Sequence, residues 1–133
     1  MAPQLSKLQL DAVYSTEGAV LVFAGAGSGK TRVITHRIAH LINSGKAEPS
    51  QILAVTFTNK AAKEMRDRTG KLLEGSGTTD GLTVCTFHSL GLKILKAEHR
   101  SIGYPSDFTV YSPYEQNELM KKVMEEQNIS TER

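Results

Sequence analysis

The residues with the plainest chemistry in this chain are Ala24-Gly25-Ala26-Gly27-Ser28-Gly29-Lys30-Thr31. Glycine at alternate positions lets the backbone wrap tightly and turn its N–H groups inward. Lysine then supplies a mobile positive charge and threonine a hydroxyl. Together these groups suit the phosphates of a nucleoside triphosphate. The N–H groups cradle the anion, Lys30 reaches the β- and γ-phosphates, and the Thr31 hydroxyl ligates Mg²⁺. Ala24 stands where the GxxxxGK[ST] pattern usually has its first glycine. A glycine-rich turn without a ligand is the alternative, and the flanking sequence argues against it. An apolar run enters the loop and a helical pattern leaves it. The loop alone implies a nucleoside triphosphate and nothing narrower, because kinases, GTPases and many ATPases share it.

The elements that must position this loop follow from periodicity. Leu5 to Ser15 reads as a helix, with Leu5, Leu8, Ala12 and Val13 near one face. Ala19-Val20-Leu21-Val22-Phe23 is apolar throughout and of strand length, as expected of a strand buried on both faces. Lys30 to Asn43 is a helix whose stripe is Ile34, Ile38, Leu41 and Ile42, with Gly45 as a stop signal. Ile52 to Phe57 reads as a second strand, Asn59 to Leu73 as a helix, and Leu82 to Phe87 as a third strand followed by a helix to about Ala97. Glu64 and Arg68 are spaced as a helical ion pair. Alternating strands and helices predict a parallel α/β sheet. Beyond Pro105 the pattern changes to a short extended piece and a helix opened by Ser112, Pro113 and Glu115 in a capping box. Leu119, Met120, Val123 and Met124 form its apolar face. A boundary near residue 100 divides the chain into 1–100 and 101–133.

Composition sets the outer limits. The 133 residues suffice for a modest domain, and 39% hydrophobic with 23% charged residues is ordinary for a globular chain. A net charge of +2 is too small to argue nucleic-acid binding without specific residues. The lone cysteine, Cys85, lies in an apolar run, reads as a small buried hydrophobe and fits a reducing cytosol. The longest apolar run is far short of the ~20 residues of a membrane span. Met1-Ala2-Pro3-Gln4 does not resemble a signal peptide, so the expectation is a cytoplasmic protein with no membrane partner. His36 and His40 stand one helical turn apart, but the sequence offers them no third ligand and no glutamate base. Asn128-Ile129-Ser130 matches a glycosylation sequon by chance in such a chain.

Four segments resemble the UvrD/PcrA/Rep family of superfamily 1 DNA helicases. Leu5-Ser6-Lys7-Leu8-Gln9-Leu10-Asp11-Ala12-Val13 is similar to the Q motif LNxxQxxAV, with Ser6 in place of asparagine. The phosphate loop continues into Arg32. Thr56-Phe57-Thr58-Asn59-Lys60-Ala61-Ala62-Lys63-Glu64-Met65 looks like motif Ia. Thr86-Phe87-His88-Ser89-Leu90 looks like motif Ib. The resemblance covers nearly the whole chain. It implies a P-loop NTPase (RecA-like) sheet over residues 1–100 and the start of the inserted helical subdomain, 1B, over 101–133.

The resemblance also implies roles. Gln9 reads the adenine edge, and Arg32 lies near the base. Phe57 contacts a DNA base, although packing in the core is an open alternative. Thr58 and Asn59 contact DNA, and each is also a candidate helix cap. Thr86 and His88 resemble DNA-backbone contacts, with a purely structural histidine as the alternative. Lys60 and Lys63 read as solvated charges. The implied cofactors are ATP and Mg²⁺. The implied activity is ATP-driven 3′–5′ unwinding of DNA or translocation on single-stranded DNA, with DNA junctions and repair or replication proteins as partners. A helicase–nuclease motor and a non-catalytic nucleotide-binding module are the alternatives. The family's acidic Walker B segment and second motor domain have no counterpart in the sequence. The chain is therefore expected to be a gene fragment that ends inside the inserted subdomain and, in isolation, to lack meaningful ATPase activity.

Overall fold

A computed structural model describes residues 5–129. The amino-terminal residues that bear on a signal peptide, and Ser130 of the sequon, lie outside them. Within the described residues the chain is α/β, with two parallel strands and five α-helices. It divides between Lys93 and Ile94 into two compact units.

The first unit opens with α1 (Lys7–Tyr14). Its start is fixed by a capping box in which the Ser6 hydroxyl accepts from the Gln9 N–H and the Gln9 side chain accepts from the Ser6 N–H. Helix α2 (Lys30–Asn43) follows the glycine loop and buries Val33, Thr35, Ile38 and Ala39. Of the expected stripe only Ile38 is buried, Leu41 and Ile42 are half-buried, and Ile34 is exposed beside Val20 and Val22. Strand β1 (Leu53–Thr56), helix α3 (Asn59–Leu73) and strand β2 (Thr83–Thr86) form a β-α-β unit in which Leu53 pairs with Thr83 and Thr56 with Thr86. The core gathers Ile38 of α2, Ala54 of β1, Ala62 and Met65 of α3, and Leu82 and Val84 around β2. Burial of each of the larger side chains, Ile38, Met65, Leu82 and Val84, contributes about 1.5–3 kcal/mol. Polar groups within the core are satisfied locally. The Thr69 hydroxyl donates to the Met65 carbonyl (2.8 Å) and the Thr35 hydroxyl to that of Arg32 (2.9 Å). Arg66 ties α3 to the sheet by donating to the Val84 carbonyl at 2.8 Å. Cys85 is buried.

The helices α2 and α3 begin and end at the predicted residues, while both observed strands are shorter than the apolar runs that announce them. A further expectation that fails is the strand at 19–23. Those residues pair with no strand among the described residues. Val20, Leu21, Val22 and Phe23 are exposed, Phe23 by 90%. Apolar composition supplies a demand for cover, but a strand exists only where a neighbour accepts and donates along its backbone.

The second unit includes the carboxyl end of α4 (Phe87–Ala97) and a 3₁₀ turn (His99–Ile102) closed by Gly103 at φ 72°. It continues into α5 (Pro113–Glu126). Tyr104 and Phe108 pack with ring centroids 5.6 Å apart. The predicted capping box of α5 is present. The Ser112 hydroxyl accepts from the Glu115 N–H, and the Glu115 carboxylate accepts from the Ser112 N–H (2.7 Å) and hydroxyl (2.7 Å). These bonds to Ser112 hold the Glu115 carboxyl below its ordinary pKa. Leu119, Met120 and Val123 remain exposed. No helix among the described residues is long and apolar enough to cross a membrane.

Candidate functional site

The glycine loop closes on itself. Gly27 and Gly29 take φ values of 73° and 84°, a left-handed conformation that side-chain-bearing residues rarely adopt. Gly29 is the N-cap of α2, so Lys30 is its first residue and Thr31 its second. The helix's unpaired N–H groups and positive dipole end therefore sit at the loop. Lys30 Nζ donates back to the carbonyls of Ala24 (3.0 Å) and Gly25 (2.6 Å), and the Ser28 hydroxyl also donates to Gly25 (2.7 Å). Side chains added at Gly25 or Gly27 would meet only open space, so the loop is exposed on that side. The arrangement fits a phosphate chain. The anion can replace carbonyls as the partner of Lys30, and Thr31 offers its hydroxyl to a cation held with the phosphates.

Gln9 reaches this loop from α1. Its Nε2 donates to the Ser28 carbonyl at 2.9 Å, across nineteen positions of sequence. Arg32 lies on the first turn of α2, half-buried, with His36 one turn further on. Burial, and secondarily the Arg32 charge, depress the His36 pKa below its ordinary value. The His40 ring meets Tyr14 edge-on at 4.9 Å. Among the described residues, no three His, Cys, Asp or Glu side chains gather as a metal site.

A second group of predicted residues collects where the paired strands end. Phe57 follows β1 and Phe87 follows β2. Because Thr56 and Thr86 are in register, the two rings meet with centroids 5.3 Å apart and a tilt of 46°. Phe57 is 89% exposed, so it takes no part in the core of the described residues. Phe87 was absent from the predicted site. The signal was available, because an aromatic ends each of two runs that pair in parallel. Two helices also start at this edge. Thr58 is the N-cap of α3, its hydroxyl accepting from the Ala61 N–H at 3.1 Å, whereas Asn59 is the first helical residue and does not cap. Thr86 is buried, with its hydroxyl accepting from the Ser89 N–H (3.2 Å) and bonded to the Ser89 hydroxyl (2.9 Å). That bond starts α4 and leaves His88 exposed on its first turn. Lys60 and Lys63 are exposed on α3, where Glu64 pairs with Arg68 as the spacing predicts. The edge thus presents two aromatics in tilted contact, the N–H groups of two helix starts and an imidazole. Such a surface can stack bases and bind phosphates.

A family model described as UvrD/REP helicase N-terminal domain matches residues 5–133. The chain is 47% identical over 127 residues to a Leuconostoc citreum protein named ATP-dependent DNA helicase PcrA, a match covering 96% of this chain and 17% of that protein. Proteins of the same name are 43% identical in Staphylococcus aureus (94% and 17% covered) and 42% identical in Staphylococcus epidermidis (100% and 18%). The chain therefore spans less than a fifth of the length of the curated relatives it matches.

Proposed function

Since the chain belongs to the UvrD/REP helicase family through its N-terminal domain, we propose that it is the ATP-binding part of an ATP-dependent DNA helicase that moves 3′ to 5′ on single-stranded DNA. The observation that carries the reading is the glycine loop, with two left-handed glycines, a helix start, Lys30 and Thr31 on consecutive residues. The P-loop NTPase fold belongs to the same proposal. In the whole protein, further strands pair with residues 19–23 and complete a RecA-like sheet. Residues 1–100 then form that motor domain, and 101–133 begin a helical subdomain.

Each side chain has a task in this scheme. Residues 24–29 wrap the phosphates. Lys30 neutralises charge on the β- and γ-phosphates, and Thr31 holds Mg²⁺, which polarises the phosphoryl group when bound. Gln9 and Arg32 face the adenine. Phe57 and Phe87 grip a base, and Thr58, Asn59 and His88 approach the DNA backbone. Thr86 acts through the cap it gives α4. Movement along DNA comes from different affinities of the nucleotide-bound and nucleotide-free states for the strand.

The whole protein should displace a strand from duplexes carrying a 3′ single-stranded tail, in the presence of ATP and Mg²⁺, and leave 5′-tailed duplexes paired. Lys30→Ala should abolish that unwinding while leaving the circular dichroism spectrum unchanged. Stopped-flow strand displacement measures both. Unwinding that survives Lys30→Ala refutes the assignment of the loop, and unwinding of 5′-tailed substrates alone refutes the polarity.

A further inference from the structure

Gln9 spends its one amide on two backbone partners. Its Oε1 accepts from the Ser6 N–H at 2.8 Å, and its Nε2 donates to the Ser28 carbonyl at 2.9 Å. Neither partner is ambiguous, because a backbone N–H only donates and a carbonyl only accepts. The amide therefore has one orientation and no other side chain of this length serves both partners. A glutamate keeps the bond to Ser6 and sets a charged oxygen against Ser28, and a lysine loses the bond to Ser6. The contact is also close. A side chain built at Gly29 would stand 3.2 Å from Gln9 Nε2, so the amide lies directly on the left-handed glycine that ends the loop.

This contact has a geometric effect on the phosphate site. The peptide joining Ser28 to Gly29 is trans, and in a trans peptide C=O and N–H point in opposite directions. Drawing the Ser28 carbonyl toward Gln9 turns the Gly29 N–H away from Gln9. Gly29 is the N-cap of α2, where an oriented N–H adds directly to the anion cradle. One N–H and one lone pair of the Gln9 amide stay available for a base edge.

We propose that Gln9 is a positioning residue for the phosphate loop, setting its grip on a polyphosphate whether or not a base is attached. The inference rests on the nucleotide-binding reading above and deepens it. A residue that only reads adenine has no influence on a ligand without adenine, whereas a latch on Ser28 does.

Sodium tripolyphosphate separates the two roles. Titration calorimetry of the purified chain with Mg²⁺ should show tripolyphosphate binding weakened about threefold to tenfold by Gln9→Met, as expected for loss of the one bond to the loop, the α1 cap bond being lost as well. Gln9→Glu should weaken it at least as far while retaining the α1 cap, and the uncharged Met variant controls for the added charge. ATP should weaken in parallel. Tripolyphosphate affinity unchanged in both variants, with ATP affinity reduced, overturns the proposal and leaves Gln9 a reader of the base alone. Ligand-free NMR gives an independent reading. The Gly29 amide should shift and exchange faster in both variants, with α1 helicity preserved in Gln9→Glu. An unchanged Gly29 amide overturns the latch whether or not the 133-residue chain binds either ligand, whereas failure of the whole protein to bind ATP would refute the nucleotide-binding reading instead.

Discussion

Residues 19–23 and residues 52–57 are nearly interchangeable as text, each a short apolar run of strand length, yet they have opposite fates. In the second, Ala54 and Thr56 are buried and β1 is paired residue for residue with β2. In the first, Leu21 and Phe23 are largely exposed, Val20 and Val22 are only partly covered beside Ala12, Val33 and Ile34, and no strand pairs with the run among the described residues. The difference is not propensity. It is α3, whose Ala62 and Met65 pack with Ala54 of β1 and Val84 of β2 while Arg66 ties it to β2. A covered, hydrogen-bonded pair is stable where a lone strand is not.

The sharpest way to break this contrast is to delete side chains on each side of it. Met65→Ala should destabilise the chain by about 2–5 kcal/mol, while Phe23→Ala should change stability by less than about 0.5 kcal/mol. Urea unfolding followed by circular dichroism compares them. A costly Phe23→Ala in the 133-residue chain would mean that 19–23 is covered after all. In the whole protein the same substitution should become costly, as completed pairing requires.

Phe57→Ala and Phe87→Ala test whether the exposed end of the paired region is a binding surface. Each should weaken single-stranded DNA binding by the whole protein by about 1–3 kcal/mol, with ATP affinity little changed. Fluorescence anisotropy with labelled oligonucleotides reads this directly, and wild-type affinity in both variants would reduce the pair to surface packing.

Smaller effects come from the termini of helices. Thr58→Ala removes the cap of α3 and should cost about 1 kcal/mol of unfolding free energy. Thr58→Asn should recover most of it. Failure of that rescue would show that Thr58 contributes something other than capping.

The smallest effect is a pH dependence from α2. The folded His36 has a lowered pKa, so the unfolded chain takes up its proton first as pH falls. Its contribution is complete above the ordinary value of 6.5 and is lost progressively as pH falls below 6.5 through the lowered value. His36→Gln should therefore flatten the decline of Tm below that pH, measured by differential scanning calorimetry. An unchanged slope would place the titration elsewhere.

The contrast also explains what the sequence made legible. The extents of α2 and α3 are local, since helical periodicity and the residues at or beside their ends suffice, but the face α2 buries is not, because Ile34 is exposed while Val33, Thr35 and Ala39 are buried. The phosphate loop is equally local, because glycine spacing and the following helix suffice. Strand pairing is not local, and nothing within Ala19–Phe23 states whether a neighbour is present. Long-range polar contacts were illegible for the same reason. The bonds from Gln9 to Ser28 and from Arg66 to Val84 join residues 19 and 18 positions apart and leave no periodic trace. Thr86 illustrates the converse, because a strand-end threonine and a helix-starting threonine look alike until burial distinguishes them.

The in-register meeting of Thr56 with Thr86 works as a ruler. Phe57 and Phe87 touch because each is the first residue past the same rung. A slip of one residue in either strand would turn every side chain of that strand to the opposite face and take the rings out of line. The loop from Gly75 to Gly81 lies beyond the far end of the ladder and can lengthen without disturbing that alignment. Inserted residues should therefore be tolerated in this loop and rejected within either strand, which makes the spacing of the aromatic pair a property of the ladder and not of the chain length between its halves.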